Sequence, residues 1–320
     1  MSGLESTLLG IVEPHTAGDP MNAKKWLNCR LRDIQEKLAE RAMQVSLPVI
    51  SRLLKAHDYR LRVNRKVFEG QSHPERDRQF AHIQEQREAH LRDGQPCLSV
   101  DTKKKELVGN FKNAGRVWCQ EAEQVNVYDF PSQAAGRAVP YGIYDLAHNQ
   151  ADVYIGQSLN TAEFAVDNLA RWCQSEIPER FPGAKCIFIE ADGGGANQSR
   201  SHLFKKLIQE EIADVFDLTV TVCHYPPGAS KWNPIEHRLF SEISKTWQGC
   251  PLRSFDLVLH YINQTKTQTG LSVQAHLVEA VYQKGVKVAK TILNTLNIQF
   301  HETCPQWNYT ISPRHRAIAA

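Results

Sequence analysis

Apolar residues recur at three- and four-residue steps between Arg30 and Ala42, at Leu31, Ile34, Leu38 and Ala42, and this spacing predicts an amphipathic helix. A short turn leads to Ser46, a cap for a second helix with Pro48 in its first turn, where a missing N–H costs nothing. Val49, Ile50, Leu53 and Leu54 supply its buried stripe, so a small helix-turn-helix region is expected over residues 1–69. Residues 70–94 are polar, with Gln, Arg, Glu and His throughout, and read as a connector that is helical rather than loose.

After Pro96 the pattern changes to strands: Cys97–Asp101, a turn at Lys103, Lys104 and Lys105, then Glu106–Phe111. Strands are also expected over Tyr141–Ala147, Ala151–Gly156, Lys185–Ala191 and Leu218–Tyr225, with helices over Thr161–Gln174, over Ser199–Ile212 and from Glu236 onward. Adjacent strands followed by alternating helices and strands predict an α/β domain over residues 95–315. Its expected form is a mixed sheet flanked by helices, in the order of an RNase H-like fold.

Composition narrows the class only a little. At 320 residues, 42% hydrophobic and 23% charged, the chain has the make-up of a globular protein of one large or two moderate domains. It contains no apolar run approaching the roughly 20 residues that cross a bilayer, and its amino terminus lacks a secretion-signal layout, so a cytoplasmic location is expected. Eight scattered cysteines without a close pair argue against a disulfide framework and against a zinc site. Charge is uneven: residues 22–66 hold twelve Lys or Arg against four Asp or Glu, a net +8, which leaves −5 for the rest of a chain whose total is +3. Such a basic segment concentrates a polyanion near its surface. Ser51, Arg52 and Lys55 lie off the buried stripe, and Arg62, Arg65 and Lys66 continue the basic character, so all six are candidate DNA contacts. A helical hairpin with a solvated charged face is the alternative.

Three carboxylates carry the candidate chemistry. Asp101 and Asp192 each end an expected strand, where side chains project into the crevice of an open sheet. Glu236 begins a helix whose stripe Glu236, Phe240, Ile243 and Trp247 fixes its direction, with Pro234 in the first turn and Asn233 as cap. Phosphodiester chemistry needs an activated oxygen on one side of phosphorus and a stabilised leaving oxygen on the other, and two Mg²⁺ or Mn²⁺ ions held by such acids supply both. Each acid alone has a plainer reading, as a turn former or a helix-dipole residue. Asn197 is a candidate for orienting water or phosphate, or a cap for the next helix; Lys103, Lys104 and Lys266 are candidate DNA-backbone contacts, or merely solvated. There is no nucleophile elbow, and Asp192-Gly193-Gly194-Gly195 lacks the Lys-Ser/Thr ending of a phosphate-binding loop.

Three stretches, residues 101–113 beginning Asp101-Thr102-Lys103-Lys104-Lys105, Asp192-Gly193-Gly194-Gly195, and residues 226–241 containing Trp232-Asn233-Pro234-Ile235-Glu236-His237, resemble the Rhodopirellula-type transposases, as does the ending Trp307–Pro313. These are bacterial insertion-sequence enzymes with a DDE catalytic domain, distantly related to mariner-like elements. The resemblance covers nearly the whole chain. It implies an RNase H-like fold, a metal-binding triad of Asp101, Asp192 and Glu236, cleavage at element ends and strand transfer to target DNA. It also implies double-stranded DNA partners, terminal inverted repeats and target alike, a homo-oligomer on that DNA and a nucleoid-associated location. Ala196 stands where a small hydroxyl residue is expected and Asn160 where an acid is expected; Met1 falls partway into the family's usual length, so an upstream DNA-binding portion is expected to be missing. A silent remnant that only binds DNA and a stand-alone RNase H-like nuclease are the competing readings.

Overall fold

The computed structural model describes residues 2–18, 25–27, 29–61 and 73–314. The chain divides into two units, Met1–Gln71 and Ser72–Ala320. Arg62, Arg65 and Lys66, three of the expected DNA contacts, lie outside the described residues.

In the first unit, helix α1 (Ser2–Val12) precedes a hairpin of β1 (Thr16–Gly18) and β2 (Lys25–Leu27), then α2 (Leu31–Ala39) and α3 (Leu47–Ala56). Leu8, Ile11 and Val12 from α1 pack with Ile34, Leu38, Ile50 and Leu54, so the expected stripes face inward except at Ala42, which is exposed, and they pack on a helix the pattern reading passed over. Helix α2 is shorter than expected, because Ala42 turns left-handed at φ 58° and the Met43 amide donates back to the Leu38 carbonyl at 2.9 Å. Asp33 closes the other end by accepting from the Arg30 amide at 2.8 Å. Ser46 starts α3 where expected, although its carbonyl, not its hydroxyl, accepts from the first turn.

The second unit is built on one nine-stranded sheet. Its strands are β3 (Cys97–Thr102), β4 (Glu106–Val108), β5 (Gly136–Asp145), β6 (Gln150–Gly156), β7 (Cys186–Ala191), β8 (Thr219–His224), β9 (Ser272–Val278), β10 (Ile298–Phe300) and β11 (Asn308–Ile311). They lie in the order β10-β11-β8-β7-β3-β5-β6-β9, with β4 beside β5. β3, β5 and β6 are antiparallel neighbours, while β7 and β8 run parallel to β3. This is the RNase H-like mixed sheet expected from the sequence. The strand expected over Glu106–Phe111 stops at Val108, since Gly109 takes a φ of 154° that breaks the pairing.

Helices cover both faces. On one, α5 (Ala162–Arg180) and α6 (His202–Leu207) bury Phe164, Leu169, Trp172 and Phe204 against Leu98, Val100, Ile187, Ile189, Val220 and Val222. On the other, a wide helical turn (Glu236–Phe240) running into the helices Ser241–Thr246 and Phe255–Asn263 buries Leu239, Phe240, Ile243, Val258 and Ile262 against Tyr144, Val153 and Ile155. Period-two alternation thus assigns Leu98 and Val100 to one face of β3, and Ser99 and Asp101 to the other.

The polar stretch read as a connector is α4 (Arg76–Arg92), and it packs on the sheet through Ile83 and a buried Gln79. Gln79 donates to the His224 carbonyl at 2.8 Å and exchanges two 2.7 Å bonds with the Asn308 amide group. Arg87 reaches Glu190, fully buried on β7, with Nε to Oε1 at 2.8 Å, and Tyr225 donates its hydroxyl to the same carboxylate. Few apolar residues mark this helix because its contacts with the sheet are largely hydrogen bonds and ions. Replacing Arg87 with Ala leaves that carboxylate without its cation, and a loss of about 3–5 kcal/mol in urea unfolding is expected. A loss below about 1 kcal/mol would show that Glu190 does not depend on it.

Candidate active site

The sheet register carries the two aspartates to one place. Val100 pairs with Ala191 across the parallel strands β3 and β7, so the next residue of each chain segment, Asp101 and Asp192, leaves the same sheet end side by side. Asp101 is 8% exposed and accepts from the Thr102 amide at 2.6 Å. Asp192 is held by the Gly194 amide, while the His224 ring donates from Nδ1 to the Asp192 carbonyl at 3.2 Å. Burial pushes the His224 ring down to about 3, so it stays neutral and acts as a fixed donor to the backbone rather than as a metal ligand.

Glu236 arrives by way of a latch. The Ser99 hydroxyl, two residues before Asp101 on the same face, donates to Asn233 Oδ1 and accepts from the Ile235 amide at 3.0 Å. Asn233 Nδ2 donates to the Val100 carbonyl at 3.2 Å. Both side chains are fully buried, and every polar atom in the latch is matched. The Asn233 side chain, expected as a helix cap, is turned instead into the strand that carries Asp101. Close approach also needs Gly142, the β5 residue paired with Asp101: a Cβ there would stand 2.8 Å from Ile235 and Phe240 and 3.1 Å from Leu239. Gly142→Ala is expected to cost roughly 1–3 kcal/mol in chemical denaturation, since three buried side chains would have to shift together. An unchanged midpoint would mean that the helix yields freely.

Electrostatics ties the three acids into one cluster. Burial raises the Asp101 carboxyl to about 8; the Asp192 charge adds to the rise and the Thr102 amide opposes it, while Glu236 raises it by its charge and by a shared hydrogen bond. Asp192 is raised to about 6, chiefly by burial, with the Gly194 amide opposing and Glu236 adding. Buried Tyr141 feels both aspartates and donates to Asn197 Oδ1 at 3.0 Å, which leaves Asn197 buried behind the acids. An all-oxygen donor set with excess negative charge, partly desolvated, has the chemistry that suits a hard divalent cation.

The expected basic contacts divide. Lys103 is buried, bound to Glu106 at 3.2 Å and set over the Trp247 ring, so it is not an open surface lysine. Lys104 is exposed and lines a cleft of ≈ 330 Å³ with Lys105, Lys112 and Arg137. Arg52, Lys55 and Lys266 are exposed and Ser51 is half-buried. Asn160 accepts the Thr102 hydroxyl at 3.0 Å, and Ala196 is buried in the core. Ser99 and Gly142 escaped the sequence reading. The motif around Glu236 holds one half of the latch, but its partner on β3 becomes visible only with the strand register.

A family model described as "Rhodopirellula transposase DDE domain" matches residues 7–313. Among solved structures, the Mos1 mariner paired-end complex with Mn is 13% identical with a TM-score of 0.44, covering 78% of this chain and 72% of that one. The Mos1 transposase paired-end complex with left transposon end is likewise 13% identical, with a TM-score of 0.43 and coverage of 77% and 74%. No curated protein matches the chain.

Proposed function

From the premise that this chain belongs to the Rhodopirellula transposase DDE-domain family, we propose that Asp101, Asp192 and Glu236 are the acids that hold its catalytic divalent cations. The observation that carries this reading is the pairing of Val100 with Ala191, which sets the two aspartates side by side, with the Ser99–Asn233 latch tying the Glu236 turn to the same strand. Asp101 would be shared by two Mg²⁺ or Mn²⁺ ions, with Asp192 and Glu236 on one each. Bound there, a cation pair activates the attacking oxygen and stabilises the leaving one. The chain's own part is to orient these carboxylates: Thr102 and Gly194 fix two of them through backbone amides, and Asn197 and Tyr141 form the wall behind.

Transposase activity then has two stages at this site, attack of water at the element ends and attack of the freed 3′-hydroxyl on target DNA. Plasmid DNA bearing the element's terminal repeats should be nicked at the repeat borders when Mg²⁺ or Mn²⁺ is added, and joined product should follow. Nicking without joining would favour the stand-alone nuclease; no nicking with either cation would favour the silent remnant.

We assign the element ends to the first unit, whose exposed Arg52 and Lys55 project from α3 beside Ser51, and backbone contacts to the Lys104 cleft and Lys266. With about three phosphate contacts from the first unit, its affinity is expected to fall on the order of 10–100-fold between 50 and 200 mM salt. A flat response in a fluorescence-anisotropy titration would remove the assignment. Tyr128 and Phe130 are exposed and pack against each other, and we take this loop as the place a second copy would cover in a homo-oligomer on DNA. No helix among the described residues is long and apolar enough to cross a membrane.

A further inference from the structure

Among the described residues, the one group of three or more His, Cys, Asp or Glu whose donor atoms all lie within 4.8 Å of one another is not the acid triad but His82, Cys223 and His301. We propose that these three side chains form a second metal site, for a single soft divalent cation of the zinc class. They come from three separate parts of the second unit: His82 from α4, Cys223 from β8, and His301 from the loop after β10. Ligands 141 and 78 residues apart carry no spacing signal, which is why the scattered cysteines argued against zinc.

The geometry is close to that of a bound site. His82 Nε2 and His301 Nδ1 face each other at 2.8 Å, and Cys223 lies buried beneath them. Zinc binds imidazole nitrogen at about 2.0–2.1 Å and thiolate at about 2.3 Å in a tetrahedron, so the rings need open by only roughly half an ångström. The second nitrogen of His301 is held by the Thr310 hydroxyl at 2.9 Å, and Thr310 in turn meets Thr221 at 3.1 Å. Such an outer partner fixes the ring and its tautomer, as it does for metal-bound histidines. Both rings are half-buried, which leaves the fourth position open to water.

Burial lowers the proton affinity of both imidazoles, as ligation requires, and raises that of the thiol. A cation that enters breaks the His82–His301 hydrogen bond, whose proton passes through solvent to the other nitrogen of the donor ring; it releases the Cys223 proton to solvent and forms one metal–sulfur and two metal–nitrogen bonds. The consequence is structural: the site would pin α4 and the β10–β11 edge to β8, beside the small apolar cluster in which Ile83 of α4 packs with Cys223.

Cobalt(II) is the probe, because a thiolate–cobalt charge-transfer band in the near ultraviolet cannot arise from the oxygen-only triad. Full-length protein carrying Asp192→Asn, stripped of metal, is titrated with Co²⁺ and then with Zn²⁺. The expected result is a thiolate band saturating at one equivalent and displaced by zinc. His82→Ala and His301→Ala, each shown to be folded by circular dichroism, should weaken Co²⁺ binding at least about tenfold. Absence of the band in the parent overturns the proposal, as does an unchanged titration in both histidine variants, which would leave a simple histidine–histidine hydrogen bond.

Discussion

With Asp192→Asn and Glu236→Gln combined, cation-dependent nicking of DNA carrying the element's terminal sequences is expected to fall by at least about 10³-fold, with the fold retained. The size follows from what cation-held charge contributes to such a reaction, several kcal/mol of transition-state stabilisation, at about 1.4 kcal/mol per factor of ten. Both changes are nearly isosteric and remove anionic charge without opening a cavity. Neither touches the Ser99–Asn233 latch or the Thr102 amide that positions Asp101. Circular dichroism and gel filtration should therefore be unchanged while activity collapses. Equal cutting by the parent and the double variant would remove Asp192 and Glu236 from the chemistry and leave the family's reaction to be placed elsewhere in this chain.

The elements that carry the candidate site are legible in the sequence to different depths. Strand texture before Asp101 is an alternation, with Leu98 and Val100 on the packed face, and before Asp192 it is the nearly continuous apolar run Ile187, Phe188 and Ile189 that a strand buried on both faces needs. Glu236 was legible from Pro234 and the stripe through Trp247, although the wide turn brings Leu239 inward together with Phe240, which a regular helical period does not anticipate. Helix α4 forms where a helical connector is expected, but its packing on the sheet is hard to read for the opposite reason. Its contacts run through Gln79 and Arg87, and pattern reading counts polar residues as solvent-facing. Lys103 fell to the same bias, since a lysine beside two others reads as surface until Glu106 and Trp247 are found around it. Strands β9, β10 and β11 were not anticipated; β10 has one half-buried and two exposed residues, so its burial does not alternate cleanly, and its register is set by pairing with β11.

Without cations, the same cluster should weaken the fold as pH rises, and removing one of its charges should reverse that. The Asp101 and Asp192 carboxyls, raised to about 8 and about 6 from an ordinary 3.8, both ionise later in the folded protein than in the unfolded chain. Between about pH 4 and about pH 8 the folded form therefore holds more protons, and by linkage this contribution to stability is complete below the lower limit and lost as pH climbs through the window. For Asp101, which is almost wholly buried, the loss is on the order of a few kcal/mol, shared with Asp192 because the two aspartates lie close enough to titrate as a pair. Asp101→Asn cannot ionise, so in metal-free buffer at pH 8 its Tm should exceed that of the parent by roughly 5–10 °C, with little difference at pH 4. Millimolar Mg²⁺ should narrow the gap by stabilising the parent alone, since a ligand that binds only the folded form adds to its stability. A variant no more stable than the parent at pH 8, or a gap indifferent to Mg²⁺, would mean that these carboxylates neither repel one another in the free protein nor share a cation when one is supplied.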